Sequence, residues 1–185
     1  MTRKIISLVS LLVALFALTA CGGQEDERPS ATRTAANGDT FNDADVAFAT
    51  DMVQHHAQAL QMVDMTLGRD LDPEVARLAD EIRAAQGPEI ETMTDWLTDW
   101  DQPIPETSRD HANAHGEGHA EMDGDMPGMM SADQMDELMK APDTKFQEMW
   151  LEMMIEHHEG AVEMAQDQQE DGQYKPAVDL AGDVV

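Results

Sequence analysis

The sequence predicts an all-α domain built from two copies of a helical hairpin, and three observations lead there. The first is an ungapped internal repeat: at an offset of 102 residues, Met52-Val53-Gln54-His55-His56 pairs with Met154-Ile155-Glu156-His157-His158. The register holds for Phe48 on Trp150, Ala59 on Ala161, Met62 on Met164, Leu78-Ala79 on Leu180-Ala181, and Ile82 on Val184. A duplicated helical hairpin is the simplest source of such a pattern. The second is that apolar residues in both copies recur three and four apart, the period of a helix with one buried face. The third is composition. Of 185 residues, 42% are hydrophobic, which can build a core, while one Cys, 8 Pro and 12 Gly exclude a disulfide framework and a wholly disordered chain.

Taken in order, the chain starts with Arg3 and Lys4 before an apolar run from Ile5 to Ala20. That run is shorter than the roughly 20 residues of a membrane-spanning helix, and it reads as a secretion signal over residues 1–20. Its end, Leu18-Thr19-Ala20-Cys21, looks like the lipobox at which bacterial lipoproteins are cut, so Cys21 is expected to be the lipidated first residue of the mature chain. Residues 21–40 hold little to bury and read as a flexible tether to the membrane of the cell envelope. Acyl chains on Cys21, not the protein surface, would do the anchoring.

The bundle domain is expected over residues 41–185. Asn42 or Asp43 can cap a first helix carrying Phe48, Met52, Val53, Leu60, Val63 and Leu67 and ending at Gly68. Asp72-Pro73 opens a second, with Val75, Ala79, Ile82, Met93, Trp96 and Leu97 on its apolar face; Gly87-Pro88 inside it predicts a kink or an interruption. Residues 101–130 turn rich in Gly, His, Asp and Met and read as the linker between hairpins. Ser131 with Gln134 forms a capping box for a short helix that Pro142 stops. A helix from Asp143 to Gly172 and another from Pro176 complete the second copy. The chain stops three residues before the counterpart of Gln86, so the last helix is expected to be cut short.

Charge narrows the function. Lys and Arg number 11 against 38 Asp and Glu, a formal net charge of -27, so the surface repels phosphate backbones and attracts cations. Nucleic acid is thereby argued against as a partner. With Cys21 lipidated no thiolate remains, and any metal site must use His, Met and carboxylates.

The donors for such a site lie in the repeat. At about 100° per residue, Met52, His55 and His56 share one arc of their helix, and Met62 stands two turns above His55. Met154, His157, His158 and Met164 repeat the arrangement. Bundles that hold two irons commonly use Glu-x-x-His; here the matching positions are Met52-x-x-His55 and Met154-x-x-His157, and a thioether in place of a carboxylate shifts preference toward Cu(I), with imidazole able to serve Cu(II) as well. Methionine at helical spacing is more often core filling, which is the reading given to Met65, Met135 and Met139. Four buried imidazoles without partners would be costly, which favours a metal at the doubled motif. Glu89 and Met93 are weaker candidates, provided the kink at Pro88 is mild. His111, His115 and His119 share a face only in a helix, which Gly116 and Gly118 oppose, so this tract reads as a flexible metal scavenger. Proton competition predicts that imidazole ligation fades below about pH 6.

These motifs resemble the bacterial family called domain of unknown function 305, whose members include periplasmic copper-binding proteins of the CopM type. The resemblance rests on Phe48-x3-Met52-x2-His55-His56-x2-Ala59-x2-Met62, on Gln86-x2-Glu89-Ile90-x2-Met93, on Gly128-Met129-Met130-Ser131, and on the run from Met154 to Ala165. It implies a ferritin-like four-helix bundle and copper held by Met52, His55, His56, Met62, Met154, His157, His158 and Met164. Two departures stand out: Gly87-Pro88, and the absence of a second Gln-x2-Glu-Ile-x2-Met segment, which leaves either an open groove or a place for a second copy or a copper-transfer protein.

The expectation is a lipid-anchored, extracytoplasmic copper-binding protein that sequesters copper or passes it on, and not an enzyme. Gly-x-Ser-x-Gly, the P-loop, the dinucleotide fingerprint and His-Glu-x-x-His are all absent. The rivals are a di-metal oxidase or cupric reductase using the same interior, with Glu89 and Glu156 as its carboxylates, and a metal-free interaction module of the envelope.

Overall fold

The structure, a computed structural model, describes residues 31–107 and 126–185. Cys21, the secretion signal, and His111, His115 and His119 lie outside the described residues. The fold is all-helical apart from one small hairpin, in which β1 (Arg33–Thr34) pairs antiparallel with β2 (Thr40–Phe41), Arg33 opposite Phe41. This hairpin falls at the end of the predicted tether and packs on the domain: Phe41 is buried and stacks on Trp100 at 4.7 Å between centroids. The Arg33 guanidinium lies over the Phe41 ring, 4.7 Å from its centroid, and pairs with Asp43 at 2.6 Å.

Helix α1 (Asp43–Asp64) starts at the capping box of Asn42 and Asp45. Asp45 is fully buried and does more than cap, since its carboxylate also accepts from Gln168 Nε2 at 2.7 Å and from the backbone N–H groups of Gln173 and Tyr174. One side chain thus caps α1 and ties it to the far end of the second hairpin. Helix α2 (Pro73–Asp99) opens with Asp72 as cap and Pro at its first position. Of the two expectations at Gly87-Pro88, a kink or an interruption, the interruption does not occur: one helix runs through both residues. The carbonyl that loses its partner belongs to Ala84, and Ala84 and Pro88 are both exposed, so water can satisfy it. Gly87, the residue most tolerant of a following proline, has open space around it.

Helix α3 (Ala132–Lys140) carries the predicted Ser131–Gln134 capping box. Helix α4 (Asp143–Asp171) ends at Gly172, and α5 (Lys175–Val184) folds back along it. Helix α1 packs against both α2 and α4. The apolar core forms two clusters. The first joins Met62, Val63, Val75, Ile82, Met130, Leu138, Phe146, Trp150 and Met154; the second joins Phe48, Met52, Val53, Met93, Trp96, Leu97, Ala161, Ala165, Ala177 and Ala181. Helix α1 runs from the second cluster to the first, while α2 and α4 run from the first to the second. The ten-residue α5 contributes to the second cluster only, and the first is closed instead by α3 and Met130. Trp150 donates its indole N–H to the Met62 carbonyl at 2.9 Å, satisfying an acceptor in the last turn of α1.

Candidate metal centre

Between the two clusters the interior turns polar. Each long helix supplies its share at the same height: His55, His56 and Gln58 from α1, Gln86 and Glu89 from α2, and His157 from α4. Consecutive residues on α1 point about 100° apart, so its two histidines meet different neighbours. His55 faces α4, where its ring lies 3.7 Å from that of His157, centroid to centroid, tilted by 38°. His56 faces α2, with Nε2 2.7 Å from Glu89 Oε2. His158 is half-buried, turned back on α4 so that Nδ1–H donates to the Met154 carbonyl at 2.8 Å.

A loop closes this layer. His55 Nε2 lies 3.2 Å from the Pro127 carbonyl, which can only accept, so the ring hydrogen sits on Nε2. Gln58 holds the next stretch by both ends of its amide: Nε2 donates to the Met130 carbonyl at 2.8 Å, and the Met130 N–H donates to Oε1 at 2.7 Å. On the other side the loop touches α4 backbone to backbone. Gly128 has φ +73°, and a Cβ there would come within 2.6 Å of the Glu156 carbonyl; a Cβ on Gly160 would strike the Pro127 carbonyl itself. Gln58 and Gly160 are counterparts in the internal repeat. One copy grips the loop with an amide and the other makes room for it by having no side chain.

Four imidazole nitrogens here are buried with no hydrogen-bond partner: Nδ1 of His55, Nδ1 of His56, and both ring nitrogens of His157. Buried polar atoms are rarely left so, because each forfeits its hydration. The electrostatics agree. Burial first, then the neighbouring His56, lowers the pKa of His55 to about 3, and burial followed by His55 and His158 lowers that of His157 to about 2. Both rings are neutral at physiological pH, with lone pairs available to a metal and no bound proton to displace.

The structure brings six of the eight principal candidates into the interior: Met52, His55, His56, Met62, Met154 and His157. His158 and Met164 are half-buried, and Met164 borders a shallow depression with Phe48, Asp51 and Gln168. Of the weaker candidates, Met93 is fully buried and Glu89 is engaged by His56. Sequence reasoning missed Gln58, Gly128, Gly160 and Met130 as parts of the site. Gly160 did carry a signal, since glycine inside a helix costs about 1 kcal/mol against alanine and calls for a close approach. Among the described residues no three His, Cys, Asp or Glu side chains gather in a metal-holding cluster. Buried Met52 and Met93 belong to the cluster on one side of this layer and Met62, Met130 and Met154 to the cluster on the other, and thioethers are donors that suit a soft ion.

The fold and this layer define a class: an all-helical protein whose core is divided by a pair of closely packed histidines between methionine-bearing clusters. Residues 45–185 match the family described as Domain of unknown function (DUF305), and the chain belongs to that family. Solved structures agree. A DUF305 fragment from Deinococcus radiodurans is 29% identical, covering 83% of this chain and 89% of its own, with a TM-score of 0.64. A Streptomyces coelicolor protein, named as a candidate secreted member of DUF305, is 30% identical over 77% of this chain and 81% of its own, also at 0.64. CopM in its Cu(I)-bound form is 28% identical, covering 76% of this chain and 83% of its own, at 0.56, and it has also been solved with Cu(II) and with silver. No curated protein matches the chain.

Proposed function

We propose that this protein binds copper outside the cytoplasm, sequestering it or handing it on, while tethered to the envelope membrane by lipid on Cys21. The observation that carries the reading is the His55–His157 pair, at 3.7 Å, with three of its four ring nitrogens buried and unpartnered. His55, His56 and His157 supply imidazoles for either oxidation state, and Met52, Met62 and Met154 supply thioethers for Cu(I). His158 and Met164, both half-buried, are the remaining two donors of the proposed set. The similarity to CopM with Cu(I), Cu(II) and silver supports copper as the cargo. The name of the Streptomyces relative supports an extracytoplasmic place, and the lipobox supports the anchor. Among the described residues no helix is long and apolar enough to cross a membrane.

A binding role is preferred to oxidase or reductase chemistry because, of the two carboxylates named for such chemistry, Glu89 is hydrogen-bonded to His56 and Glu156 is exposed. The test is Cu(I) titration, under reducing conditions, of the full chain against a variant with His55, His56, His157 and His158 replaced by Asn. Stoichiometric binding by the parent and its loss in a folded variant is the expected result. Equal binding by both chains, or none by either, defeats the reading.

A further inference from the structure

His56 is tied at one ring nitrogen only. Its Nε2 lies 2.7 Å from Glu89 Oε2, with the imidazole side chain 4% exposed and the carboxylate side chain 29% exposed. The carboxylate accepts and the ring N–H donates, so the hydrogen sits on Nε2. In the neutral ring this puts the lone pair on Nδ1, and that atom is buried without a partner. His55 shows the same pattern by another means: the Pro127 carbonyl takes Nε2–H, and Nδ1 is buried and bare. Two consecutive imidazoles on α1 thus keep the same atom free, one through a backbone oxygen and one through the side chain of Glu89 on α2.

From this we infer that Glu89 is a positioning residue, which holds His56 as the Nε2–H tautomer and reserves Nδ1 as the donor that His56 offers to a soft metal ion. The inference deepens the proposed function and rests on it for the metal, though not for the tautomer. A carboxylate behind an imidazole fixes the ring's orientation and raises the basicity of the opposite nitrogen. The competing role, Glu89 as a ligand in its own right, suits a hard ion better than the thioethers around this layer do.

The experiment uses the full chain labelled with ¹⁵N at histidine, in its parent form and as Glu89→Gln and Glu89→Ala. Two-bond proton–nitrogen correlation spectra read the tautomer of each imidazole, and titration with Ag(I), which is diamagnetic and soft, reads the donor atom by its nitrogen shift. The expected result is an Nε2–H tautomer at His56 in the parent and in Glu89→Gln, whose amide oxygen still accepts the hydrogen bond, with Ag(I) shifting Nδ1 in both. Glu89→Ala should show mixed tautomers and bind Ag(I) about 10- to 100-fold more weakly. An Nδ1–H tautomer in the parent overturns the inference whatever the metal does. So does Glu89→Gln binding as weakly as Glu89→Ala with its tautomer intact, because that marks Glu89 as a ligand. Shifts at His55 and His157 that bypass His56 Nδ1 overturn the inference and leave the proposed function standing. The absence of any histidine shift removes both.

Discussion

The His55 and His157 rings lie 3.7 Å apart, centroid to centroid, tilted by 38°, on helices from the two halves of a duplicated chain. Each ring is fully buried and held neutral first by that burial, with His56 adding to the effect at His55 and His55 adding to it at His157. The contact places a polar pair where two apolar clusters would otherwise merge, so its energetic cost must be offset by the packing on either side.

The first expected outcome is a loss of stability on acidification of the metal-free protein. The folded-state pKa values, about 3 and about 2, lie below the ordinary 6.5, so the unfolded chain binds more protons across that window. Stability is full above about pH 6.5 and is lost as pH falls toward 3, by up to about 1.4 kcal/mol per pH unit for each histidine. Urea unfolding at pH 7, 5.5 and 4.5 measures this. His157→Gln should flatten the slope above pH 4.5, where most carboxylates remain ionised; an unchanged slope would remove the pair as its cause.

A second outcome concerns Gly160. Alanine is the better helix former, yet a methyl group at 160 would collide with the Pro127 carbonyl and drive the loop off α4. Gly160→Ala should therefore destabilise by about 1–3 kcal/mol. Gly182→Ala, in a helix with open space around the position, should be neutral or stabilising by less than about 1 kcal/mol. Opposite signs in chemical denaturation are the check.

Much of this arrangement is legible in the sequence, for definable reasons. Caps at Asn42, Asp72 and Ser131 are local hydrogen-bonding events, and the residues that make them sit within three positions of each other. The inward turn of His55 and His157 follows from helical periodicity plus the repeat. What periodicity does not carry is which neighbour each histidine meets: the separation of His55 toward α4 and His56 toward α2 is a tertiary fact. The same holds for Pro88. Its effect depended on Ala84 being exposed, which the local pattern left open. The grip of Gln58 on Met130 spans 72 residues and leaves no periodic trace.

Asp45 offers a third expectation. Its carboxylate accepts from the Asn42, Gln173 and Tyr174 backbones and from Gln168 in a fully buried setting. Asp45→Ala strands several donors at once, each costing about 1–3 kcal/mol, so a total on the order of 3 kcal/mol is expected after partial relaxation. Because the lost ties run to the α4–α5 turn, amide exchange should accelerate at residues 173–181 more than in α2. Uniform acceleration across the chain would show instead that Asp45 acts only as the cap of α1.

The last expectation follows from proton competition at the metal site and corrects the simple view that imidazole ligation fades below pH 6. An ordinary imidazole loses affinity about tenfold per pH unit below its pKa of 6.5, because the metal must displace a proton. His55 and His157 take up no second proton until pH nears 3 and 2. Ag(I) bound through that pair should therefore keep its affinity between pH 7 and pH 5, where an exposed histidine peptide loses more than tenfold. Competition against a thioether-only chelator, whose own affinity does not change with pH in this range, isolates the effect. A parallel decline of protein and histidine peptide would mean that the ion sits on exposed imidazoles and not on the buried pair.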